Sequence, residues 1–120
     1  MKRLNRKEVA NLVRHYGAYV AWREKYSQKM RRDNNTEAEQ EYYRASYLYW
    51  GYMEEEAEIK LAEMSIFIHD DLSEQRLADW DWKEARGLWG DYYDRHQEAE
   101  EAYEAEQKQQ EQEEVTGAEA

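Results

Sequence analysis

Residues 42–68, YYRASYLYWGYMEEEAEIKLAEMSIFI, form the stretch that decides the fold. At 100° per residue, one apolar seam of a helix runs from Tyr42 to Phe67. A second apolar seam runs from Ala45 to Ile66. Because each seam needs a neighbour, this stretch is predicted to be the central helix of the protein, packed on two others.

A third, patchier apolar strip lies on the same helix and falls outside both seams. Two neighbouring helices would leave it uncovered, and an exposed strip of this size is unusual on a monomer. Tyr and Trp supply much of the binding energy at interfaces, so the strip is expected to face a second copy or a partner. This predicted self-association or partner surface consists of Tyr43, Tyr47, Trp50, Leu61 and Ile68.

The composition favours helix along most of the chain. The 120 residues include no proline and five glycines, and the remainder is rich in Glu, Ala, Gln, Lys and Arg. Three capping-box-like signals, each a short polar residue three positions ahead of a Glu, occur at Asn5 to Glu8, Thr36 to Glu39 and Asp71 to Glu74. They predict an all-α fold, an elongated antiparallel arrangement of three helices over about 5–32, 36–69 and 71–111 with helix 2 central, in an oligomeric protein.

The short turns also predict how the helices pair. Pairing about Asn34 places Arg23 level with Ala45, between aromatic rings and Glu41, where its guanidinium would stack on a ring or pair with a carboxylate. Pairing about Asp70 sets Tyr49 near Tyr92, which lies on a 4-3 seam that predicts coiled-coil-like packing on helix 2.

The apolar seam of helix 3 ends at Tyr103, and the sequence beyond it is polar and acidic. The expected organisation is therefore one helical domain over residues 1–104 and an acidic, fraying or disordered tail over residues 105–120.

Charge is segregated along the chain, whose net charge is −11. Residues 1–35 carry a net charge of +7 and residues 36–120 carry −18. Four basic residues spaced by 7, 11 and 7 share one line of helix 1: Lys7, Arg14, Lys25 and Arg32. This basic line, with Trp22 beside it, would suit a nucleic-acid backbone, or an acidic helix of a partner or of the protein itself.

Carboxylates follow the outer face of helix 3, and three of them are followed four residues later by Lys or Arg. Simple solvation of a surface helix is one interpretation. The other is that these charges imitate DNA phosphates and occupy the basic groove of a nucleic-acid-binding protein. This acidic ladder consists of Asp79, Glu84, Asp91, Asp94, Glu98, Glu101 and Glu104.

In small size, predicted helicity and strong acidity, the chain is similar in general character to the phage-encoded DNA-mimic inhibitors of restriction or CRISPR nucleases. That likeness implies an inhibitor of a basic, nucleic-acid-handling enzyme. Two alternatives remain open at this stage: an oligomeric structural or assembly adaptor, and a small nucleic-acid binder that uses the basic line.

Motifs of enzyme chemistry are missing from the sequence. It has no cysteine, no HExxH, no glycine-rich phosphate loop and no glycine-framed serine. The Glu-x-x-His pattern of di-metal bundles fails at both His69 and His96. We therefore expect a non-enzymatic protein without catalytic residues, cofactor or metal. No apolar run reaches the ~20 residues of a membrane span, so no membrane partner and a cytoplasmic location are expected.

Overall fold

The computed structural model describes residues 5–119, and the side chains of residues 5–113. It contains four helices: α1 Arg6–Met30, α2 Glu37–Glu63, α3 Asp71–Asp79 and α4 Trp82–Glu119. No strand occurs in these residues, which confirms the all-α class. The expectation of three helices is wrong, because the region predicted as one helix over 71–111 is divided in two. The second part, α4, continues as helix beyond Tyr103 through the acidic segment.

Two of the three predicted helix starts are confirmed by their hydrogen bonds. The side chain of Asn5 accepts the backbone N–H groups of Lys7 and Glu8 at 3.0 and 3.2 Å. At the start of α2, Thr36 Oγ1 accepts the N–H of Glu39 at 3.1 Å, and Glu39 Oε1 accepts the N–H of Thr36 at 2.9 Å. This reciprocal pair satisfies two backbone donors that the helix itself leaves free.

The third predicted start agrees with α3, which begins at Asp71, but the predicted capping pair of Asp71 and Glu74 is not formed. The residue preceding α3 is Asp70, with φ of 51° and no side-chain capping bond. The buried side chain of Ser73 ties the turn instead, because its Oγ accepts the N–H of His69 at 2.9 Å. Helix α2 also ends at Glu63 rather than near His69, and Ser65 just beyond it has φ of 63°. Two residues in the left-handed region thus reverse the chain earlier than the sequence pattern predicted.

A break after Asp79 separates α3 from α4. Trp80 has extended backbone with ψ of 130°, which ends the helical run. Asp81 then caps the next helix, since its Oδ1 accepts the N–H of Lys83 at 2.9 Å. The pair Asp81 and Glu84 repeats the polar-then-Glu spacing of the other starts, so the sequence contained a signal for this helix.

Helix α2 is the centre of the molecule. In the described part of the chain, α1, α3 and α4 all pack on α2, whereas α1 and α4 do not pack on each other. Its most deeply buried residues are Ala45, Ser46, Ile59, Leu61 and Ala62, each at most 2 % exposed. The protein is elongated, with principal dimensions of 68 × 27 × 23 Å.

The predicted pairing of α1 with α2 has the right kind of contact and the wrong partner. Arg23 forms an ion pair with a carboxylate, but with Glu54 rather than Glu41. A Cβ added at Gly51 would lie 3.6 Å from Arg23 Cδ, an ordinary van der Waals distance, so the Arg23 side chain passes close alongside α2. Glu41 pairs instead with Arg95 on α4, at 2.7 Å.

The pairing of α2 with α4 differs from the prediction by about one turn. Tyr49 stacks on His96, with ring centroids 5.0 Å apart, while Tyr92 lies beside Tyr52 at 6.1 Å. Large aromatic rings that overlap face to face decide this register, and the spacing of the apolar seam does not contain that information.

Candidate functional site

The acidic ladder lies mostly on one continuous helix. Six of its seven carboxylates project from α4 between Glu84 and Glu104, and all seven are exposed. At a rise of 1.5 Å per residue, these six extend over about 30 Å. Asp79 belongs to α3 and lies across the break at Trp80, so the ladder is not the single rod that the sequence pattern predicted.

No ion pair joins any ladder carboxylate to another residue among the described side chains. The i,i+4 pairs expected from the sequence are not formed within residues 5–113. Arg95, four residues after Asp91, donates to Glu41 at 2.7 and 3.2 Å instead. That bond lowers the pKa of Glu41 and directs the Arg95 guanidinium to α2 rather than to the ladder. The ladder carboxylates are therefore exposed and form no ion pair among the described side chains.

All four residues of the basic line are exposed, but the predicted helix over 5–32 ends at Met30, so Arg32 lies beyond α1. By helix geometry Arg14 and Lys25 stand opposite Arg23, which reaches α2. Lys7 and Arg32, in contrast, border grooves that α2 residues also line. Lys25 Nζ lies 4.6 Å from the ring centroid of Trp22, a cation–π contact. Nucleic-acid binding by this face stays a prediction, and the −18 net charge of residues 36–120 would repel a phosphate backbone.

The third strip of α2 is not left uncovered as the sequence suggested. Tyr43 is 3 % exposed and Leu61 is fully buried, so neither is available to a partner. Tyr47, Trp50 and Ile68 are half-buried. The reason is that α1 packs on the strip itself, where Tyr19 and Trp22 stack on Trp50 at 5.7 and 5.9 Å. Self-association through this strip stays a prediction for the three half-buried residues.

A row of aromatic rings crosses the molecule from α1 over α2 to α4. Successive ring centroids are 5.9 Å apart from Trp22 to Trp50, 5.0 Å to Tyr49, 6.3 Å to Tyr93 and 5.1 Å to Trp89. The ends of this aromatic row are open, since Trp22, Trp89 and Tyr93 are 41, 38 and 39 % exposed. Large exposed rings at both ends mark surfaces with binding capacity.

His96 lies beneath this row as a packed side chain. It is 9 % exposed and stacks on both Tyr49 and Tyr42. Burial lowers the pKa of His96, although Glu100 opposes the shift, because an imidazolium is disfavoured among aromatic rings. Burial likewise raises the pKa of Tyr43 to about 12. These groups are therefore neutral near pH 7.

A cleft that the sequence did not reveal lies on another side of α2. Its volume is about 610 Å³, and residues of all four helices line it. Glu58 is 3 % exposed there, and Arg76 Nη1 donates to both of its oxygens, at 2.8 and 3.1 Å. Tyr16 and His69 are hydrogen-bonded at 2.9 Å, which joins α1 to the turn after α2. These polar contacts tie α1 and α3 to the central helix.

Glu55 also lines this cleft and is exposed. Its pKa is raised, first because the cleft partly desolvates the carboxylate and also because Glu58 and Glu54 lie nearby, while Arg76 opposes the shift. No group of three or more His, Asp or Glu side chains in the described residues is placed to hold a metal ion. The position of Arg76 depends on the turn at residues 64–70, so no local pattern in the sequence predicts its contact with Glu58.

Two further observations bear on the class of protein. Within the described residues, no helix is long and apolar enough to cross a membrane. Comparisons of the chain with protein-family models, with curated proteins and with solved structures found no match. The charged and aromatic surfaces of the molecule are therefore what indicates its function.

Proposed function

We propose that the chain is a non-enzymatic binding protein that inhibits a basic, nucleic-acid-handling protein by charge mimicry. The observation that carries this proposal is the uncompensated acidic ladder on a continuous stretch of α4. A partner that binds DNA has a groove lined by Lys and Arg, and it gains free energy when counterions are released from both surfaces.

The charge density of α4 supports the likeness to a DNA strand. Ten acidic residues lie between Glu84 and Glu113, and three basic ones. At 1.5 Å per residue this is one carboxylate per roughly 4–5 Å, compared with one phosphate per about 3.4 Å along each DNA strand. Because the helix holds these charges in place before binding, little conformational entropy is lost on association.

The test compares inhibition by a variant with four neutralised ladder carboxylates and by a control with four carboxylates neutralised elsewhere. The ladder variant carries Asp91→Asn, Asp94→Asn, Glu98→Gln and Glu101→Gln. The control carries Glu24→Gln, Glu37→Gln, Glu63→Gln and Glu74→Gln, four exposed carboxylates outside the ladder. Both variants lose four negative charges, so a general effect of net charge is the same in both.

A DNA-binding protein captured from host extract and then purified provides the readout. We expect the unmodified chain to block its binding to a DNA duplex at low salt, the ladder variant to lose most of that inhibition, and the control to retain it. Equal inhibition by the ladder variant and the control would contradict charge mimicry. Loss of inhibition on raising salt is expected as well, since the interaction is electrostatic.

The second candidate function is an oligomeric structural or assembly adaptor. The exposed ends of the aromatic row favour it, because such rings form the centre of many protein interfaces. Trp89→Glu tests an exposed end of the aromatic row and Tyr47→Glu tests the half-buried part of the third strip, and light scattering would report a change from dimer to monomer in each variant. A monomer at every concentration of the unmodified chain would exclude this function.

A further inference from the structure

Helices α1 and α4 present two free surfaces on different sides of α2. Both surfaces expose large apolar side chains, and monomeric proteins normally expose few of these. Val13 and Trp22 on α1 are 49 and 41 % exposed. On α4, Leu88, Trp89 and Tyr93 are 42, 38 and 39 % exposed.

The two surfaces carry opposite charges that lack partners within the described chain. The basic line of α1 forms no ion pair with a carboxylate among residues 5–113, and neither does the acidic ladder of α4 with a cation. Each helix therefore carries a line of unpaired charge, positive on α1 and negative on α4, and exposes large apolar side chains on its flanks. Complementary charge steers two surfaces together and fixes their register.

Glycines on the same two helices allow a second backbone to come close. Gly17 lies on α1, and Gly87 and Gly90 lie on α4; none has positive φ, and a Cβ added to any of them would meet no atom within 4 Å. No turn or internal contact therefore requires them. Each costs about 0.5–1 kcal/mol of helix stability relative to Ala, and the close approach of another chain is a physical use for them.

Opposite charges on the two helices also lie at similar heights along the long axis of the molecule. Trp22 contacts Trp50, and the adjacent Tyr49 contacts both Tyr93 and His96. Trp22 is therefore level with the Tyr93–His96 turn. Because α1 and α4 both run antiparallel to α2, they are parallel to each other and rise equally per residue.

Extending this level along the helices places the basic residues within α1 near acidic ones, to within about one turn. Lys25 lies level with Glu98, and Arg14 with Glu84. Gly17 lies level with Gly90. A second copy moved sideways, without sliding along the long axis, would thus bring the basic line onto the ladder and glycine onto glycine.

We propose that α1 of one copy docks in parallel on α4 of a second copy. The interface joins two different surfaces, so each assembly keeps one free α1 and one free α4 and grows beyond a dimer unless it closes into a ring. Docking covers the ladder of every copy but the last in an open assembly. Self-association then competes with the binding of a basic partner, and it occurs whether or not such a partner exists.

The first experiment measures the mass of the purified chain alone by sedimentation velocity, over a concentration series at low and high salt. We expect species larger than twice the 14.6 kDa of the chain at low salt, and dissociation at high salt. A monomer at millimolar concentration and low salt would overturn the proposal. Because no partner is present, this result is independent of the test of charge mimicry.

Charge swaps then locate the interface. Arg14→Glu with Lys25→Glu places two carboxylates in the basic line, where they repel the ladder, and Asp91→Lys with Glu98→Lys places two amines in the ladder, where they repel the basic line. Each pair should raise the concentration needed for association by about tenfold or more. All four substitutions together restore the net charge and the complementarity, and association should return. The control, Arg44→Glu with Glu74→Lys, keeps the net charge, changes neither surface and should associate normally.

Cross-linking gives a second readout that does not depend on reversed charges. The chain has no cysteine, so Lys25→Cys and Glu98→Cys each introduce a single thiol. In an oxidised mixture of the two, mass spectrometry should find the mixed disulfide in large excess over either homodimer. A statistical mixture of the three, or association of the swapped chains that equals that of the unmodified chain, would contradict the proposed pairing.

Discussion

At the scale of single residues, the buried carboxylate of Glu58 depends most on a neighbouring side chain for its charge to be balanced. The carboxylate is 3 % exposed, and Arg76 supplies two hydrogen bonds to it. His69 Nε2 lies 3.8 Å away and adds little unless it is protonated. A buried carboxylate without its counter-ion is strongly unfavourable, so the stability of this region depends on a contact between α2 and the short helix α3.

We therefore predict that Arg76→Ala lowers the free energy of unfolding by about 2 kcal/mol, measured by urea denaturation. The value is below that of a fully buried pair because the Arg76 side chain is 44 % exposed. Arg95→Ala is the matched control, since both members of the Arg95–Glu41 pair are more than 40 % exposed, and it should lower that free energy by less than about 1 kcal/mol.

The same pair allows a rescue experiment. Glu58→Gln removes the charge that Arg76 balances, so the double variant Glu58→Gln with Arg76→Ala should be more stable than Arg76→Ala alone. If the two arginine variants lost equal stability and Glu58→Gln gave no recovery, the Arg76–Glu58 contact would contribute no more to stability than an exposed ion pair.

At the scale of elements, the break between α3 and α4 determines where the ladder begins. The side chain of Asp81 accepts the N–H of Lys83 and so compensates for the loss of helical hydrogen bonds at the start of α4. Asp79 ends α3 and lies near the negative end of that helix dipole, where a carboxylate is unfavourable. Two aspartates separated by Trp80 thus have opposite effects on stability.

Asp81→Ala should lower the free energy of unfolding by about 1 kcal/mol, because α4 loses its cap. Asp79→Ala should leave that free energy unchanged or raise it by a few tenths of a kcal/mol. Thermal unfolding of the two variants, followed by circular dichroism, compares them directly. Equal destabilisation by both would indicate a continuous helix through residues 79–82 in solution.

At the scale of the whole molecule, one central helix with partners on different sides gives an extended shape. The radius of gyration is 18.7 Å, whereas a compact domain of this length would have about 14 Å. Small-angle scattering of the dilute chain at high salt, where self-association is suppressed, should give about 19 Å. A value near 14 Å would mean that the helices fold back on one another.

The positions of the charged surfaces follow from this shape. Because α1 and α4 pack on α2 and not on each other, the basic line and the acidic ladder form no ion pairs with each other in the described residues. A compact bundle in which α1 paired with α4 would have brought these charges together. The layout therefore leaves the ladder exposed.

The sequence by itself determined the helical class, the starts of α1 and α2, the central place of α2 and the segregation of charge. Capping pairs such as Thr36 with Glu39 are local, so a few neighbouring residues suffice to specify them. The ladder and the basic line were likewise visible, because surface charges on a helix need no tertiary contact to be exposed. The start at Asp81 had a local signal as well.

The tertiary structure alone decided which neighbour covers each side of α2. The apolar pattern gives angles around a helix, but it does not say which partner occupies each angle. Stacking of Trp22 on Trp50 brought α1 onto the third strip, which buried Tyr43. Arg76 reached Glu58 because two residues with positive φ turned the chain after α2. Such contacts join residues distant in sequence, and their free energy depends on shapes that meet only after folding.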